Sequence, residues 1–239
     1  MENYTLPITQ QSAKVNKSVH IPKQTTQLSF TITYYLLFFA SCFSFFISIF
    51  VKTIAMRNIL WLESTITGIA AFIYSLYYRE IDLGTGEQDK ILAGWPGVNR
   101  LRYIDWSITT PLMLISLSLV LSMYSGIKVP ILKTVAIVVL NLLMLLFGYL
   151  GETNMMDRLT ADILGFIPFM TIFGMLYMTY IKPKNIGINH FLFWFYFIVW
   201  FLYGIVYMFG EQMMNTSFNV LDAIAKSFVA IGLSIYFMM

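Results

Sequence analysis

Five ionisable residues stand inside otherwise apolar stretches of this 239-residue chain: Glu63, Asp105, Asp162, Asp222 and Lys226. A charge at the centre of a membrane helix costs about 2.5–3.5 kcal/mol on insertion scales, so such residues normally face the protein interior and pair with one another. Asp222 and Lys226 are four apart, one turn apart on the same helical face, and Arg102 and Asp105, three apart, share a face of another segment. Two Asp, one Lys and one Arg make a four-charge set of zero net charge. A network that only ties helices together is the plain alternative, but buried ion pairs stabilise poorly relative to apolar packing. The set therefore points to function.

A buried lysine beside carboxylates has a specific use. Its amine condenses with an aldehyde to form a Schiff base, and a protonated Schiff base in an apolar cavity needs a counter-ion. A polyene aldehyde would also need a slot lined by aromatics and methionines. Trp200, Tyr203 and Tyr207 recur at helical spacing, and Trp106, Thr110 and Met113 offer a matching face beside Asp105. Ordinary packing accounts for each of these alone; their convergence on the two charged segments is what suggests a slot.

The elements that must position these groups are membrane helices. The chain is 58% hydrophobic and 11% charged, where soluble domains carry about 25% charge. Seven runs are long enough to span a bilayer: 28–50, 58–78, 101–124, 130–150, 159–181, 189–210 and 217–238. The expected fold is an all-α membrane protein, a seven-transmembrane-helix bundle over 28–239, preceded by a polar N-terminal extension over 1–27 that lacks a cleavable signal core and caps the membrane domain. The Gly-rich connection from Arg79 to Arg100 is long enough for a hairpin or short ordered cap. Lys52, Arg57, Lys128, Lys133, Lys182 and Lys184 follow the odd-numbered spans, whereas most acids follow the even ones. The positive-inside rule then puts the N-terminus outside and the C-terminus in the cytoplasm, against the three lysines of the extension. The net charge of +3 is spread out, with no basic patch for nucleic acid. The single Cys42 forms no internal disulfide, and His20 and His190 offer no metal-ligand spacing, so no metal is expected.

"RYIDWSITTPLML" (Arg102 to Leu114) with "LDAIAK" (Leu221 to Lys226) resembles the microbial rhodopsins, the retinal-binding light-driven pumps, channels and sensors, over all seven spans. The resemblance implies a cofactor, all-trans retinal, covalently held as a Schiff base on Lys226. It implies Asp105 as primary counter-ion and proton acceptor, Asp222 as second counter-ion, and Arg102 as the outer gate. Thr109 falls where the family hydrogen-bonds the acceptor. Trp106, Thr110, Met113, Met144, Gly148, Trp200, Tyr203, Tyr207 and Ala225 fall on retinal-pocket positions, Asn141 on a polar pocket position, and Tyr74 opposite Arg102. Met113 implies green rather than blue absorption. Family members are commonly trimers or pentamers, so a homo-oligomer is expected, with membrane lipid and protons as the other partners and a plasma or other cell membrane as its location.

Departures from the family pattern carry the mechanism. Ser116 stands where proton pumps often place a donor carboxylate, and the Asp105–Thr109–Ser116 triplet resembles rhodopsins of giant viruses. Serine gives no proton near neutral pH, so Glu63, aligned opposite Ser116, is the candidate donor; it also suits a cation pathway, and a solvated helix-end glutamate is the bland alternative. Gly204 replaces a usual proline in span six, Gly165 or Phe166 stands near a missing tryptophan in span five, and Ile73 replaces a histidine beside the acceptor. Glu211, at the outer end of span six, lies near the family's proton-release region. The expectation is a light-driven outward proton pump and not an enzyme. A light-gated cation channel is the alternative, for which Asn219 is suited, and a photosensor comes third, disfavoured by the absence of a transducer domain before Met239.

Overall fold

The computed structural model describes residues 23–80 and 95–239. Seven long helices fill nearly all of this: α1 (Lys23–Ser48), α2 (Ile54–Glu80), α3 (Trp95–Ser125), α4 (Ile131–Glu152), α5 (Arg158–Ile181), α6 (Gly187–Tyr207) and α7 (Glu211–Met238). The shortest, α6, has 21 residues, enough at about 1.5 Å per residue to cross a hydrocarbon core of about 30 Å. No strand occurs among the described residues. The chain is an integral multi-pass membrane protein, and each expected run forms one helix. The cap or hairpin expected between spans two and three, His20, and most of the N-terminal extension lie outside the described residues; α1 itself begins at Lys23, inside the stretch expected to be extension.

Two helices start six residues before their apolar runs, at Trp95 rather than 101 and at Glu211 rather than 217. The reason at α3 is Pro96: "GWPG" reads as a turn, but proline fits a first helical turn, where its missing N–H is not needed. Arg102 therefore lies about two turns inside α3 and is 1% exposed, not at its start. Glu211 likewise opens α7 instead of closing span six. Local chemistry sets the other ends. Gly126 takes φ +68° to close α3, its N–H reaching Ser122 O at 2.7 Å. Asp157 caps α5 by accepting from the Thr160 N–H at 3.0 Å.

Helix α7 packs on α1, α2 and α6; α3 packs on α2, α4 and α6; α5 packs on α4 and α6. The interior is built mainly from α3 and α7, whereas α4 buries only Ile137, Asn141 and Gly151. Large apolar side chains such as Phe38, Phe46, Leu132 and Ile167 stay exposed, which costs nothing where the solvent is lipid. With no hydrophobic drive between helices, close approach comes from small residues. Across α1 and α2, Ser41 donates to Ser64 O at 2.8 Å and Ser64 to Ser41 O at 2.9 Å. Gly68 lets the two backbones approach, since a Cβ there would lie 3.0 Å from Ser41 Oγ. Two wide π-helical turns interrupt the regular winding, Tyr177–Ile181 at the end of α5 and Ala223–Phe228 within α7. Such turns favour functional positions, and the second carries Lys226.

Candidate functional site

At the middle of the bundle α7 and α3 bring the four expected charges together. Lys226 Nζ lies 2.5 Å from Asp105 Oδ2 and 3.4 Å from Asp222 Oδ1, and Arg102 Nη1 lies 3.3 Å from Asp222 Oδ2. All four side chains are at most 1% exposed. Arg102 and Asp105 share a face, yet the arginine pairs across to α7 and leaves Asp105 to the lysine. Asp222 is the hub: it also accepts from Tyr74 Oη at 2.8 Å, Tyr203 Oη at 2.8 Å and Trp106 Nε1 at 3.3 Å. Asp105 Oδ1 is buried with no hydrogen-bond partner among the described residues.

Arg102 is held on every N–H. Nε and Nη2 donate to Asn215 Oδ1 at 3.2 and 3.1 Å, Nη2 also to Asn219 Oδ1 at 2.9 Å, and Nη1 to Tyr74 Oη at 3.4 Å and to Asp222. The rings of Phe30, Tyr77 and Phe218 surround the guanidinium. Asn219, unassigned from sequence beyond its fit to a channel, is thus a node: it takes a bond from Tyr74 at 3.0 Å and gives one to Ser29 Oγ at 2.9 Å. The chain continues outward through residues that no sequence signal marked. Asn215 donates to Asn99 Oδ1 at 3.0 Å, Asn99 to Glu152, and Arg158 binds Glu152 at 2.6 Å. Neutral amides raise no alarm in a helix, so only their convergence reveals them. Glu211, expected in this region, contributes its backbone carbonyl to Asn215 at 3.0 Å.

Towards the other end of the bundle, Ser116 Oγ donates to Glu63 Oε1 at 2.6 Å, both side chains fully buried. Glu63 is nine residues inside α2, from Ile54 to Glu63, so the helix-end alternative does not hold. Thr109 is a correction: its hydroxyl donates to the backbone carbonyl of Asp105 at 2.9 Å, not to the carboxylate. A threonine inside a helix finds the i−4 carbonyl closest.

A cavity opens from Lys226 and Asp222 and runs between α3, α4, α5 and α6. Trp106, Thr110, Met113, Met144, Gly148, Trp200, Tyr203 and Tyr207 all line it, as expected. Ala225 does not line it; it is buried in the core beside Lys226. Ile73 is buried. Asn141 lies behind the wall, donating to Thr110 Oγ1 at 2.7 Å, and Thr110 donates to Trp106 O at 2.6 Å. Gly165, Phe166 and Phe169 form the α5 wall. Gly204 makes room for Phe166: a Cβ at 204 would fall 2.5 Å from its Cζ. An amine flanked by two carboxylates at one end of an aromatic slot suits an aldehyde-bearing polyene, and the residues fit retinal on that ground.

The family model for bacteriorhodopsin-like proteins matches residues 24–237. A green-light absorbing proteorhodopsin of gamma-proteobacterium EBAC31A08 is 31% identical over 109 residues, covering 46% of this chain and 39% of that protein, so the match spans well under half of the curated relative. The crystal structure of viral rhodopsin OLPVRII superposes with a TM-score of 0.80 at 29% identity, over 89% of this chain and 97% of that one. The proton-pumping rhodopsin AR2 from the marine alga Acetabularia acetabulum shares the fold, with a TM-score of 0.69 at 21% identity over 89% of this chain and 94% of that one. With its seven helices, its buried lysine cluster and a family match over nearly its whole length, the chain belongs to the bacteriorhodopsin-like family, the microbial rhodopsins, whose members bind retinal.

Proposed function

We propose that the protein is a light-driven outward proton pump, a transporter and not an enzyme, with retinal held on Lys226. The observation that carries this reading is a buried carboxyl on each side of the lysine. Asp105 touches Lys226 Nζ at 2.5 Å, and Glu63, hydrogen-bonded to Ser116, lies nearer the opposite end of the bundle. The side-chain bonds of Glu63 and those of the Lys226 cluster form two separate groups, as a pump requires if protons are not to leak through.

When bound, retinal would supply a polyene that absorbs visible light and changes shape. Lys226 Nζ holds the transported proton and Asp105 Oδ2 receives it, over a distance already that of a hydrogen bond. Because Asp105 and the lysine nitrogen only exchange a proton, the cluster keeps zero net charge. Asp222 stays anionic, fixed by Tyr74, Tyr203, Trp106 and Arg102, and keeps the second charge in place. Arg102 has no free N–H, so a proton leaving Asp105 passes only when the guanidinium gives up a bond. Glu63 then returns a proton from the far side through the Ser116 hydroxyl, a neutral relay that stands where a carboxyl would be more direct. The aromatic walls of Trp106, Trp200 and Tyr203 exclude water from the lysine nitrogen. The positive-inside rule, applied to the loop lysines and arginine, supports a cytoplasmic Glu63 end and with it an outward direction.

A light-gated cation channel is the second reading, favoured by one observation. Polar side chains line up between α1 and α7: Thr26 with Gln212 and Thr216 at 3.1 Å each, Ser29 with Asn219, and Thr33 with Asn219 O at 3.0 Å. Current against voltage under illumination, with retinal supplied, separates the two. A pump gives outward current at all voltages; a reversal potential that tracks the ion gradients refutes the pump. Visible absorption that survives Lys226→Ala refutes retinal attachment at that residue.

A further inference from the structure

Asp162 is a charged residue for which neither the charge cluster nor the proton path has a use. It lies four residues inside α5, counting from Arg158 to Asp162, and lines the same cavity as Lys226. Helix α5 packs on α4 and α6 while α7 packs on α1, α2 and α6, so the two residues border the cavity from opposite walls. Gly165, Phe166, Met144 and Leu145 line the cavity with Asp162, as does Tyr207, which lies within electrostatic reach of the carboxyl. Its Oδ1 stands 3.4 Å from where a Cβ on Gly204 would be, beside the Phe166 ring that fills the space over that glycine. Asp162 makes no hydrogen bond or ion pair with any described residue. The cation one turn before it is already engaged, because Arg158 binds Glu152 at 2.6 Å and Phe209 O at 3.4 Å. A half-buried carboxyl one turn inside a membrane helix, with no partner among the described residues, is costly, and an oxygen or hydroxyl on a bound molecule would meet that need.

We infer that the α5 wall of the cavity is built for a retinal whose ring carries an oxygen, held by a hydrogen bond to Asp162. The inference rests on the retinal reading above. With the aldehyde end at Lys226, the ring is the end left for the opposite wall. An ionised Asp162 accepts from a ring hydroxyl; a protonated one donates to a ring ketone. Either way the carboxyl gains the partner it lacks among the described residues, a partner that plain retinal, with its hydrocarbon ring, does not supply.

The test is competitive reconstitution of the full-length protein, expressed without retinal. Equimolar plain retinal is offered against 3-hydroxyretinal, 4-hydroxyretinal or 4-oxoretinal, and the bound fraction is extracted and quantified. The expected result is about a tenfold preference for at least one oxygenated ring, the factor that one hydrogen bond to a charged group supplies. Asp162→Leu should remove that preference while still forming pigment with plain retinal, which shows that the variant folds, and Asp162→Asn should keep part of it. Hydroxyl-only preference points to an ionised carboxyl, and ketone-only preference to a protonated one; both support the inference. A ratio near one in the wild type, as from a carboxyl that merely reaches water at the bundle end, overturns it. So does a preference that Asp162→Leu leaves intact. If no retinal of any kind yields a pigment in the wild type, the retinal reading fails and this inference falls with it.

Discussion

Replacing Asp222 by Asn tests the charge cluster directly. The substitution keeps the shape but removes one negative charge from a buried set of two cations and two anions, leaving a net +1. Asp222 currently takes bonds from Tyr74, Tyr203, Trp106 and Arg102 and faces Lys226 at 3.4 Å. An amide offers a single acceptor oxygen to these donors. Breaking one side of a buried pair costs about 3–5 kcal/mol, and each kcal/mol lowers the melting temperature of a chain this size by about 2–4 °C. Asp222→Asn should therefore melt about 6–20 °C below wild type in detergent. Arg102→Gln should be harmful in the same way, since it strands Asp222 together with Asn215 and Asn219. The double variant returns the cluster to zero charge and should be less destabilised than the sum of the singles by about 1–3 kcal/mol, the coupling expected for groups in contact. If the two effects add to within about 0.5 kcal/mol, the charges are not a unit and the account of the cluster is wrong.

Gly204→Ala drives a methyl into Phe166 and should cost about 1–3 kcal/mol by overpacking, read as a lower melting temperature; Phe166→Leu in the same chain should recover part of the loss. Glu63→Gln should slow the return of the resting colour after a flash by about a hundredfold, the contribution of a placed general acid, and an unchanged recovery would remove Glu63 as donor. At the surface, the backbone N–H and hydroxyl of Thr160 hold the Asp157 carboxyl below its ordinary value of 3.8. A carboxyl lowered on folding stabilises above its unfolded value and loses that contribution as pH falls through the folded one. The melting gap between wild type and Asp157→Ala should accordingly be open at pH 6 and close below about pH 4.

The charged residues were the most legible part of the sequence, because an ionised group in an apolar run has few bland explanations. That logic placed Lys226, Asp105, Asp222 and Arg102 in contact, while the family resemblance put Glu63 against Ser116 although they are 53 positions apart. It failed for groups that cost little. Asn99 and Asn215 are compatible with any helix, and Glu152 looked like a loop acid. Their role comes only from meeting across three helices. Ala225 shows the opposite error: the family position suggested a place on the pocket wall, but the cavity is lined without it. Thr109 misled because family position indicated a carboxylate partner, while helix geometry offered a nearer carbonyl. The early start of α3 was hidden by Pro96, whose meaning changes between turn and first helical turn with no change in the local letters.

The zero net charge of the Arg102–Asp105–Asp222–Lys226 set has an electrical consequence. A transmembrane potential does work on displaced charge, about 2.3 kcal/mol per elementary charge across 100 mV. A balanced quartet clustered at one depth presents the field with almost nothing to pull on. The resting protein should thus keep its colour and its proton occupancy nearly unchanged as the host membrane polarises. If the protein pumps as proposed, voltage dependence would then appear only in steps that carry a lone proton away from the quartet towards either face, and the membrane potential would act as a back-pressure on turnover while leaving light capture untouched.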